Sequence, residues 1–373
     1  MIDPLSRETE FCDGEKIVVN LNQPVIRYPK NPIIKSSDVN KVWKDPIHRV
    51  ITVHNAGVTR MDGETVLLFR SHLRCGISVL GLAISKNGID NWRIHPDPVL
   101  KPATHNDLFA EKSDANLIIE NEAGGVEDAR ITQIDDVYAI TYSAYHAYRK
   151  DYVRVCLATT KDFKSFIRYG AMLNIRMRNV VIFPEKINNN YVALFRLNDE
   201  RDTYVDGVFT QIKIGYTNDW RSNNWRLVDM PIMKTGGGPS AFSNKIGPGA
   251  PPIKTGRGWI SIFHGVRTTM DGNPYVLGVA LHDLQDPARV KMSSVPILFP
   301  TAADCRVTED DYIHVQNVIF TCGAVRKSDG TIYIYYGGND TVMNLATTHE
   351  DVLSALCEEC GQNSLTGQLL YII

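Results

Sequence analysis

The chain alternates between short apolar runs, rich in β-branched and aromatic residues, and turns rich in Gly, Asn and Asp. In five places a turn residue is followed by a strand-forming run, and the five runs are GETVLLFR, DVYAITYS, NNYVALFR, RGWISIFH and GTIYIYYG. Another apolar run precedes each of these across a turn, and a third follows it, such as SVLGLAIS or VRVCLATT. Apolar runs joined by such turns predict β-hairpins.

Three to four strands that recur five times, at spacings of roughly 55 to 75 residues, predict an all-β, five-bladed β-propeller with short terminal extensions. The propeller domain is predicted to cover residues 46–373. It includes a C-terminal helix within THEDVLSALCEEC, where the helical periodicity is clearest and where Thr348 or His349 lies near the start. Residues 1–45 are predicted to be an N-terminal extension that caps the body or mediates contacts between subunits.

Composition excludes some classes of function. The chain has 373 residues, of which 43% are hydrophobic, enough for a large core. Its formal net charge is −2, whereas a protein that binds nucleic acid usually has a strongly basic face. MIDPLSRETEFCDGEKIVVN lacks the basic start and apolar run of a secretion signal, and no apolar stretch approaches the ~20 residues that span a bilayer. We therefore predict neither a nucleic-acid nor a membrane partner.

The seven cysteines are scattered and odd in number, which is typical of reduced thiols in the cytoplasm. Cys357 and Cys360 form a CxxC, but no second pair accompanies them, so we interpret both as ordinary thiols on the C-terminal helix. No HExxH motif or close His pair predicts a metal site. The run Gly236-Gly237-Gly238 follows no strand-to-helix pattern and is predicted to be a flexible loop.

Equivalent strand positions converge at one end of a propeller's central channel. The residues that end the second strand of each repeat are Arg70, Ser143, Arg196, His264 and Gly337. Uncompensated cations at close quarters repel each other, so this ring suits a bound anion. Phosphate fits, because Arg offers its oxygens a planar fork of donors. The alternative is that Arg70 and Arg196 pair with acids from neighbouring repeats.

Two adjacent acids, Glu127 and Asp128, enter a strand in GGVEDARIT. Strand alternation predicts that they point to opposite faces, so that only one of them faces the channel. A carboxyl group buried in a sugar site can act as a general acid. A turn salt bridge between one of these acids and Arg130 is an equally open interpretation.

Five runs resemble the motifs of glycoside hydrolase family 130, in the family's order, from about residue 50 to 350. They are HNAGVTR, GGVEDARIT, NVVIFPEKINNNYVALFR, NKIGPGAPPIKTGRGWISIFHGVR and IYIYYGGNDTVMNLATT. That family contains β-mannoside phosphorylases and a minority of hydrolases, on a five-bladed propeller. The resemblance implies an inverting enzyme that cleaves a β-1,2 or β-1,4 mannosyl linkage with inorganic phosphate and releases α-mannose 1-phosphate. It implies no metal or organic cofactor, and it implies a homo-oligomer.

Carried over position by position, the resemblance implies that Asp128 is the general acid and that its proton passes through a sugar hydroxyl. The implied phosphate-binding residues are Arg178, Arg196, Lys245 and His264. The implied substrate-binding residues are Asn55, Arg70, Asn179, Glu185 and Asp340, with Glu185 facing the acceptor sugar. Ala129 stands where the family motif usually has Pro, which changes backbone stiffness more than chemistry.

Three alternatives stay open. A β-mannoside hydrolase on the same fold would work without phosphate and would need a carboxylate base, for which Glu185 and Asp62 are the candidates. A non-catalytic propeller would only bind glycans or proteins. A furanoside-cleaving propeller typically has an early Asn-Asp-Pro type motif, whereas this chain has Asn55-Ala56-Gly57.

The linkage and the acceptor are the least determined features. The HNAGV start favours the β-1,2 group. Acceptor choice is expected to lie in the variable loops 103–125, 198–210 and 300–316.

Overall fold

The computed structural model describes residues 5–11, 14, 16–149, 152–197, 210–235, 240–270, 272–308 and 312–370. The predicted flexible run at 236–238 and most of the predicted acceptor loop 198–210 lie outside these residues. Strands dominate the described part, which confirms the predicted β-rich class. No helix in that part is long and apolar enough to cross a bilayer.

The N-terminal segment is only partly regular. Its strands β1 and β2 pair antiparallel with each other. A 3-10 turn at Pro46–His48 leads into the first long strand. The elements are β1 (Arg7–Glu10), β2 (Lys16–Val19), β3 (Ile26–Arg27) and α1 (Ser36–Val42).

Five units of sequential strands follow, and within each unit the main strands pair antiparallel. A short parallel pairing between Ser78 and Gly125 joins the first two units into one nine-stranded sheet. Each of the five predicted strand runs forms a strand that is paired on both sides within its unit. The first unit contains β4 (Val50–Met61), β5 (Glu64–Leu73), β6 (Ser78–Ser85) and β7 (Arg93–Ile94). The second contains β8 (Leu108–Phe109), helix α2 (Ala115–Glu122), β9 (Gly125–Ile134), β10 (Val137–Tyr145), β11 (Val153–Thr160) and β12 (Ile167–Ala171). The third contains β13 (Met177–Ile182), β14 (Tyr191–Leu197), β15 (Gln211–Thr217), β16 (Arg226–Leu227) and β17 (Met233–Lys234).

The fourth unit contains β18 (Lys245–Pro248), β19 (Ile253–Lys254), β20 (Trp259–Val266), β21 (Tyr275–His282) and β22 (Val290–Ser293). After a 3-10 turn at Ala302–Asp304, the fifth contains β23 (Ile319–Arg326), β24 (Thr331–Gly338) and β25 (Val342–His349). The predicted C-terminal helix is confirmed as α3 (Glu350–Glu359), and His349 caps its N-terminus. The last strand, β26 (Gly361–Asn363), pairs with β22.

The hydrophobic core is divided into clusters that lie between units. One cluster joins Leu68 of the first unit to Ile140 of the second, and others join the second to the third, the third to the fourth, and the fourth to the fifth. A further cluster joins Leu67 of the first unit to Tyr335 of the fifth. Each unit therefore buries its apolar side chains against two neighbours.

Strand β3 is built into the fifth unit. Ile26 and Arg27 pair with Thr347 and Ala346 of β25. The Arg27 guanidinium binds both carboxylate oxygens of the fully buried Asp304, at 2.7 and 2.9 Å. Residues 26 and 27 thus complete the fifth sheet, while the domain boundary at residue 45 stays a prediction.

Candidate active site

Polar residues occupy equivalent bulges in the first three units. Asn55, Asp128 and Asn179 have φ angles of +48°, +52° and +56°. Beside each of them the register of the strand ladder shifts. A positive φ is uncommon outside glycine, and Asn and Asp tolerate it best. Because a bulge changes the direction of a side chain, these three residues depart from ordinary strand alternation.

Both acids of the GGVEDARIT motif bind the same partner. Arg70 donates from Nη1 to Asp128 Oδ1 at 3.2 Å and from Nη2 to Glu127 Oε1 at 2.9 Å. The prediction that Glu127 and Asp128 point to opposite faces is therefore wrong, because the left-handed backbone at Asp128 interrupts the alternation. Asn55 donates to the same oxygen of Asp128 at 3.0 Å, and Ser78 donates to Glu127 Oε1 at 2.7 Å.

Arg70 is therefore a paired cation, as one of the two interpretations of the ring predicts. Its side chain is 11% exposed, and its two acidic partners come from the next unit. Arg130 does not form the predicted alternative salt bridge. Instead it donates to the backbone oxygen of Asp128 at 2.6 Å, to Asn179 Oδ1 at 3.0 Å and to the backbone oxygen of Gly249 at 3.2 Å. Arg130 thus holds the bulges of two units in place.

The pKa values of the two adjacent acids are shifted in opposite directions. Burial disfavours the Asp128 carboxylate, but the charges of Arg70 and Arg130 outweigh this cost, so the pKa of Asp128 is lowered. Burial raises the pKa of Glu127, and Arg70 offsets this effect only in part because Asp128 adds a like charge. Asp128 therefore holds its proton less tightly than an ordinary Asp, and Glu127 holds its proton more tightly than an ordinary Glu.

A third carboxyl group, Asp340, belongs to the same cluster. It lies in the turn after β24 with a φ of +47°. Burial, together with the negative charges of Asp128 and Glu127, outweighs the charge of Arg70 and raises the pKa of Asp340 to about 6. The positive charge of Arg70 therefore acts on three carboxyl groups, those of Glu127, Asp128 and Asp340.

This arrangement predicts a pH-dependent stability. The pKa of Asp340 is about 6 in the folded protein, whereas an unfolded Asp titrates near ~3.9. The folded state therefore binds this proton more tightly, and its advantage is lost as the pH rises through 6. We expect the free energy of unfolding of the wild type, relative to Asp340→Asn, to fall by about 2 to 3 kcal/mol between pH 4 and 7. Urea denaturation of both proteins measures this difference, and parallel pH profiles would contradict it.

The predicted phosphate-binding residues come from the third and fourth units. Arg178 and Arg196 are cross-strand partners on β13 and β14. The Gly247 Cα faces both the His264 ring and the Arg196 side chain, so these two side chains lie side by side. Burial and then the charges of Arg196, Arg130 and Lys245 lower the pKa of His264 well below its usual value. His264 is therefore neutral at pH 7 and can donate one N–H among the cations.

Glu185 does not join these residues. It lies in the turn between β13 and β14, at the far end of β13 from Arg178, and binds Lys254 Nζ at 2.5 Å. Both side chains are about half exposed, at 49% and 52%. The predicted contact of Glu185 with the acceptor sugar therefore has no support in its position. Asp62, the other candidate base, is likewise exposed in the far turn after β4.

Three residues that lie beside the site were not predicted from the sequence, namely His72, Tyr145 and His314. His72 lies two residues after Arg70 and so faces the same way, with its Nδ1 3.4 Å from Arg70 Nη2. By the same spacing, Tyr145 follows Ser143, and its ring lies 5.3 Å from the Arg178 guanidinium. Strand alternation from the ring positions could have found both residues. Nothing in the local sequence marks His314, which reaches the site from a loop.

A family model described as beta-1,4-mannooligosaccharide phosphorylase matches residues 22–359. The chain belongs to glycoside hydrolase family 130. This membership confirms the resemblance stated from the five sequence runs, and the matched segment includes every residue of the site.

Curated members of family 130 align over most of the chain. A 1,2-beta-oligomannan phosphorylase of Thermoanaerobacter sp. strain X514 is 36% identical over 303 residues, which cover 79% of this chain and 88% of that protein. A beta-1,4-mannooligosaccharide phosphorylase of Ruminococcus albus is 30% identical over 333 residues, which cover 88% and 89%. The solved structure of a beta-1,2-mannobiose phosphorylase from Listeria innocua, in complex with beta-1,2-mannobiose, has a TM-score of 0.72 and 27% identity, and covers 90% of this chain and 99% of that one.

Proposed function

We propose that this member of family 130 is an inverting β-mannoside phosphorylase that forms α-mannose 1-phosphate from a β-linked mannooligosaccharide and inorganic phosphate. The observation that carries the proposal is the division of one site into two halves. Asp128 lies in a carboxylate half built around Arg70. Arg178, Arg196, Lys245 and His264 form a cationic half on the third and fourth units. A sugar that bridges the halves would meet an acid on one side and a bound anion on the other.

The same architecture supports a five-bladed β-propeller as the fold. The first strands of four units contact each other in order, since β4 contacts β9 and β23, β9 contacts β13, and β13 contacts β18. The fourth unit contacts the fifth through β20 and β23. Apolar clusters join each of the five units to two neighbours. In a propeller these inner strands surround a central channel, and the site lies at one end of it. We propose residues 46–373 as this domain, completed by β3.

In the proposed reaction, a phosphate oxygen attacks the anomeric carbon while the bond to the leaving sugar oxygen breaks. Phosphate is already a nucleophile, so the cations need only hold it in line, which supplies proximity. Asp128 provides the proton for the departing oxygen, through a sugar hydroxyl. Bound phosphate also adds negative charge near Asp128, which raises its pKa towards the protonated form that a general acid requires. Inorganic phosphate is the only co-substrate in this scheme.

A hydrolase would instead need a carboxylate base ~6.5–9.5 Å from the acid, on the other side of the sugar. The candidates Glu185 and Asp62 lie in exposed turns at the far ends of their strands, which favours phosphorolysis. We propose β-1,2 as the linkage, because the relative that is 36% identical is named as a 1,2-beta-oligomannan phosphorylase and the HNAGV start favours the same group. The proposed homo-oligomer rests on the family resemblance alone.

We also propose a cytoplasmic location. Within the described part of the chain, Cys75, Cys156, Cys322, Cys357 and Cys360 are free thiols, which fits a reducing compartment. A phosphorylase also needs a supply of inorganic phosphate and a consumer of sugar phosphate, both of which an intracellular site provides.

The test is an incubation of the purified protein with β-1,2- and β-1,4-mannobiose, with and without millimolar phosphate. We expect mannose 1-phosphate only when phosphate is present, and mainly from the β-1,2 disaccharide. Free mannose at equal rates in both conditions would identify a hydrolase, and no product at all would favour a glycan-binding protein.

Arg196→Gln should raise the KM for phosphate about 10-fold or more, since a charge-assisted contact is worth ~1.5–3 kcal/mol. Arg257→Gln, which changes an exposed ion pair with Glu358, is the matched control.

A further inference from the structure

A row of side chains leads from the carboxylate half of the site to the surface. Arg70 Nη2 lies 3.4 Å from His72 Nδ1. The His72 and His314 rings are 5.0 Å apart, with an interplanar angle of 36°. Tyr312 Oη lies 3.3 Å from His314 Nδ1, and Tyr312 is 51% exposed. We call His72, His314 and Tyr312 the histidine wall.

The histidine wall is fixed to the units that carry the carboxyl groups. His72 belongs to β5 of the first unit, directly after Arg70 in the alternation. His314 donates its backbone N–H to Thr341 Oγ1 at 3.1 Å, next to Asp340 in the turn of the fifth unit. The proposed phosphate cations, in contrast, come from the third and fourth units. The wall therefore adjoins Asp128 and Asp340 rather than the anion site.

The imidazoles of the wall are neutral. Burial, followed by the charges of Arg70 and His314, lowers the pKa of His72 to about 4. Burial and Arg70 also lower the pKa of His314. A neutral imidazole has one N–H donor and one acceptor nitrogen, which matches hydroxyl groups rather than an anion. Within the described residues, no group of three His, Cys, Asp or Glu side chains is arranged to hold a metal ion.

Several buried polar atoms behind the wall have no hydrogen-bond partner among the described residues. His54, the cross-strand partner of Arg70, is completely buried, and neither of its ring nitrogens has a hydrogen bond within the described part of the chain. Asn55 Oδ1 and Arg70 Nε are also buried and also have no hydrogen-bond partner among the described residues. Most buried polar atoms in proteins are hydrogen-bonded, so a local concentration of unmet atoms indicates oxygens that bind from outside the chain. Sugar hydroxyls, with the waters that accompany them, supply such oxygens.

We propose that the histidine wall is the subsite for the leaving sugar, which is the acceptor in the reverse reaction. This inference rests on the proposed function. In an inverting displacement the leaving group departs on the side opposite to the phosphate, and the wall lies on the side of Asp128. It also reaches the surface, where the remaining sugars of an oligomannoside can extend. The imidazoles of His72 and His314 bind hydroxyl groups, and the Tyr312 ring provides an apolar face for a pyranose.

The experiment runs the reaction in reverse, with mannose 1-phosphate as donor and mannose as acceptor. For His314→Ala we expect the KM for the acceptor to rise at least 10-fold, while the KM for mannose 1-phosphate changes less than 2-fold. Tyr312→Ala should raise the acceptor KM in the same selective way. His314→Gln, which keeps a donor and an acceptor, should recover part of the loss. His95→Ala, an exposed histidine after β7, is the matched control and should equal the wild type.

Three results would overturn the proposal. An unchanged acceptor KM in both His314→Ala and Tyr312→Ala would remove the wall from the subsite. Equal increases in both KM values would mean that the wall contacts the mannosyl group or only supports the fold, and thermal unfolding of His314→Gln separates these two causes. If the wild type makes no mannose 1-phosphate in the forward reaction, the proposed function itself fails, and this subsite is rejected with it.

Discussion

Asp128→Asn is expected to lower kcat for phosphorolysis by about 10³-fold, with the KM for phosphate nearly unchanged. Asn has the shape of Asp and can keep the contacts with Asn55 and Arg70, but it has no acidic proton to give to the leaving oxygen. The measurement is the initial rate of mannose 1-phosphate formation at saturating phosphate. Asp136→Asn, which affects only an exposed pair with Lys161, is the matched control.

A substrate with a better leaving group distinguishes a lost acid from a damaged site. An aryl β-mannoside whose phenol leaves readily as an anion needs little protonation, so Asp128→Asn should lose much less activity on it than on mannobiose. If both substrates lose activity equally, Asp128 positions the sugar rather than supplying the proton.

The second large effect is expected for Arg70→Gln, which we predict to lose about 3–5 kcal/mol of unfolding free energy and at least 10²-fold in kcat/KM. Arg70 is the shared partner of Glu127 and Asp128, and its charge also opposes the raised pKa of Asp340. Removing it breaks the ion pairs of Glu127 and Asp128 in a poorly solvated place, where the charges of Arg178 and Arg130 replace Arg70 only in part. Urea denaturation and steady-state kinetics measure the two effects separately.

A double variant separates stability from chemistry. Arg70→Gln combined with Glu127→Gln also removes one of the acids that lost its ion pair with Arg70, so it should recover part of the lost stability. It should not recover activity, because Asp128 is still without its partner. A loss below 1 kcal/mol in the single variant would show that water reaches the carboxyl groups and replaces Arg70.

Much of the fold was predictable because its signal repeats. The runs that end in Arg70, Arg196 and His264 share one pattern, and all three form strands that are paired on both sides within their units. Comparing repeats therefore predicted, without any knowledge of the packing, that Arg196 and His264 lie side by side, as they do at Gly247. The resemblance then selected Asp128, which strand alternation alone could not distinguish from Glu127.

The remaining features depend on local backbone geometry and on contacts that are distant in sequence. Because Asp128 has a left-handed φ, successive side chains there do not alternate between the two faces of the sheet as in a regular strand. A single bulge of this kind is hard to infer from one sequence. Glu185 follows a conspicuous motif, yet the direction of its strand carries it to the far turn. His314 is more than 240 positions from His72, so only the folded chain brings the two rings to 5.0 Å.

The completion of the fifth sheet by β3 also constrains how the protein is made. The Asn31 side chain binds both backbone groups of Leu345, 314 positions later. A ribosome that adds ~5–20 residues per second needs roughly 15 to 60 s to pass from one to the other. During that time β3 has no partner strand, and the earlier units must fold without the contacts that close the ring of packing. We expect the joining of β3 to β25 to be among the last events of folding, so that a chain stalled before residue 346 keeps an unpaired β3 for chaperones to protect.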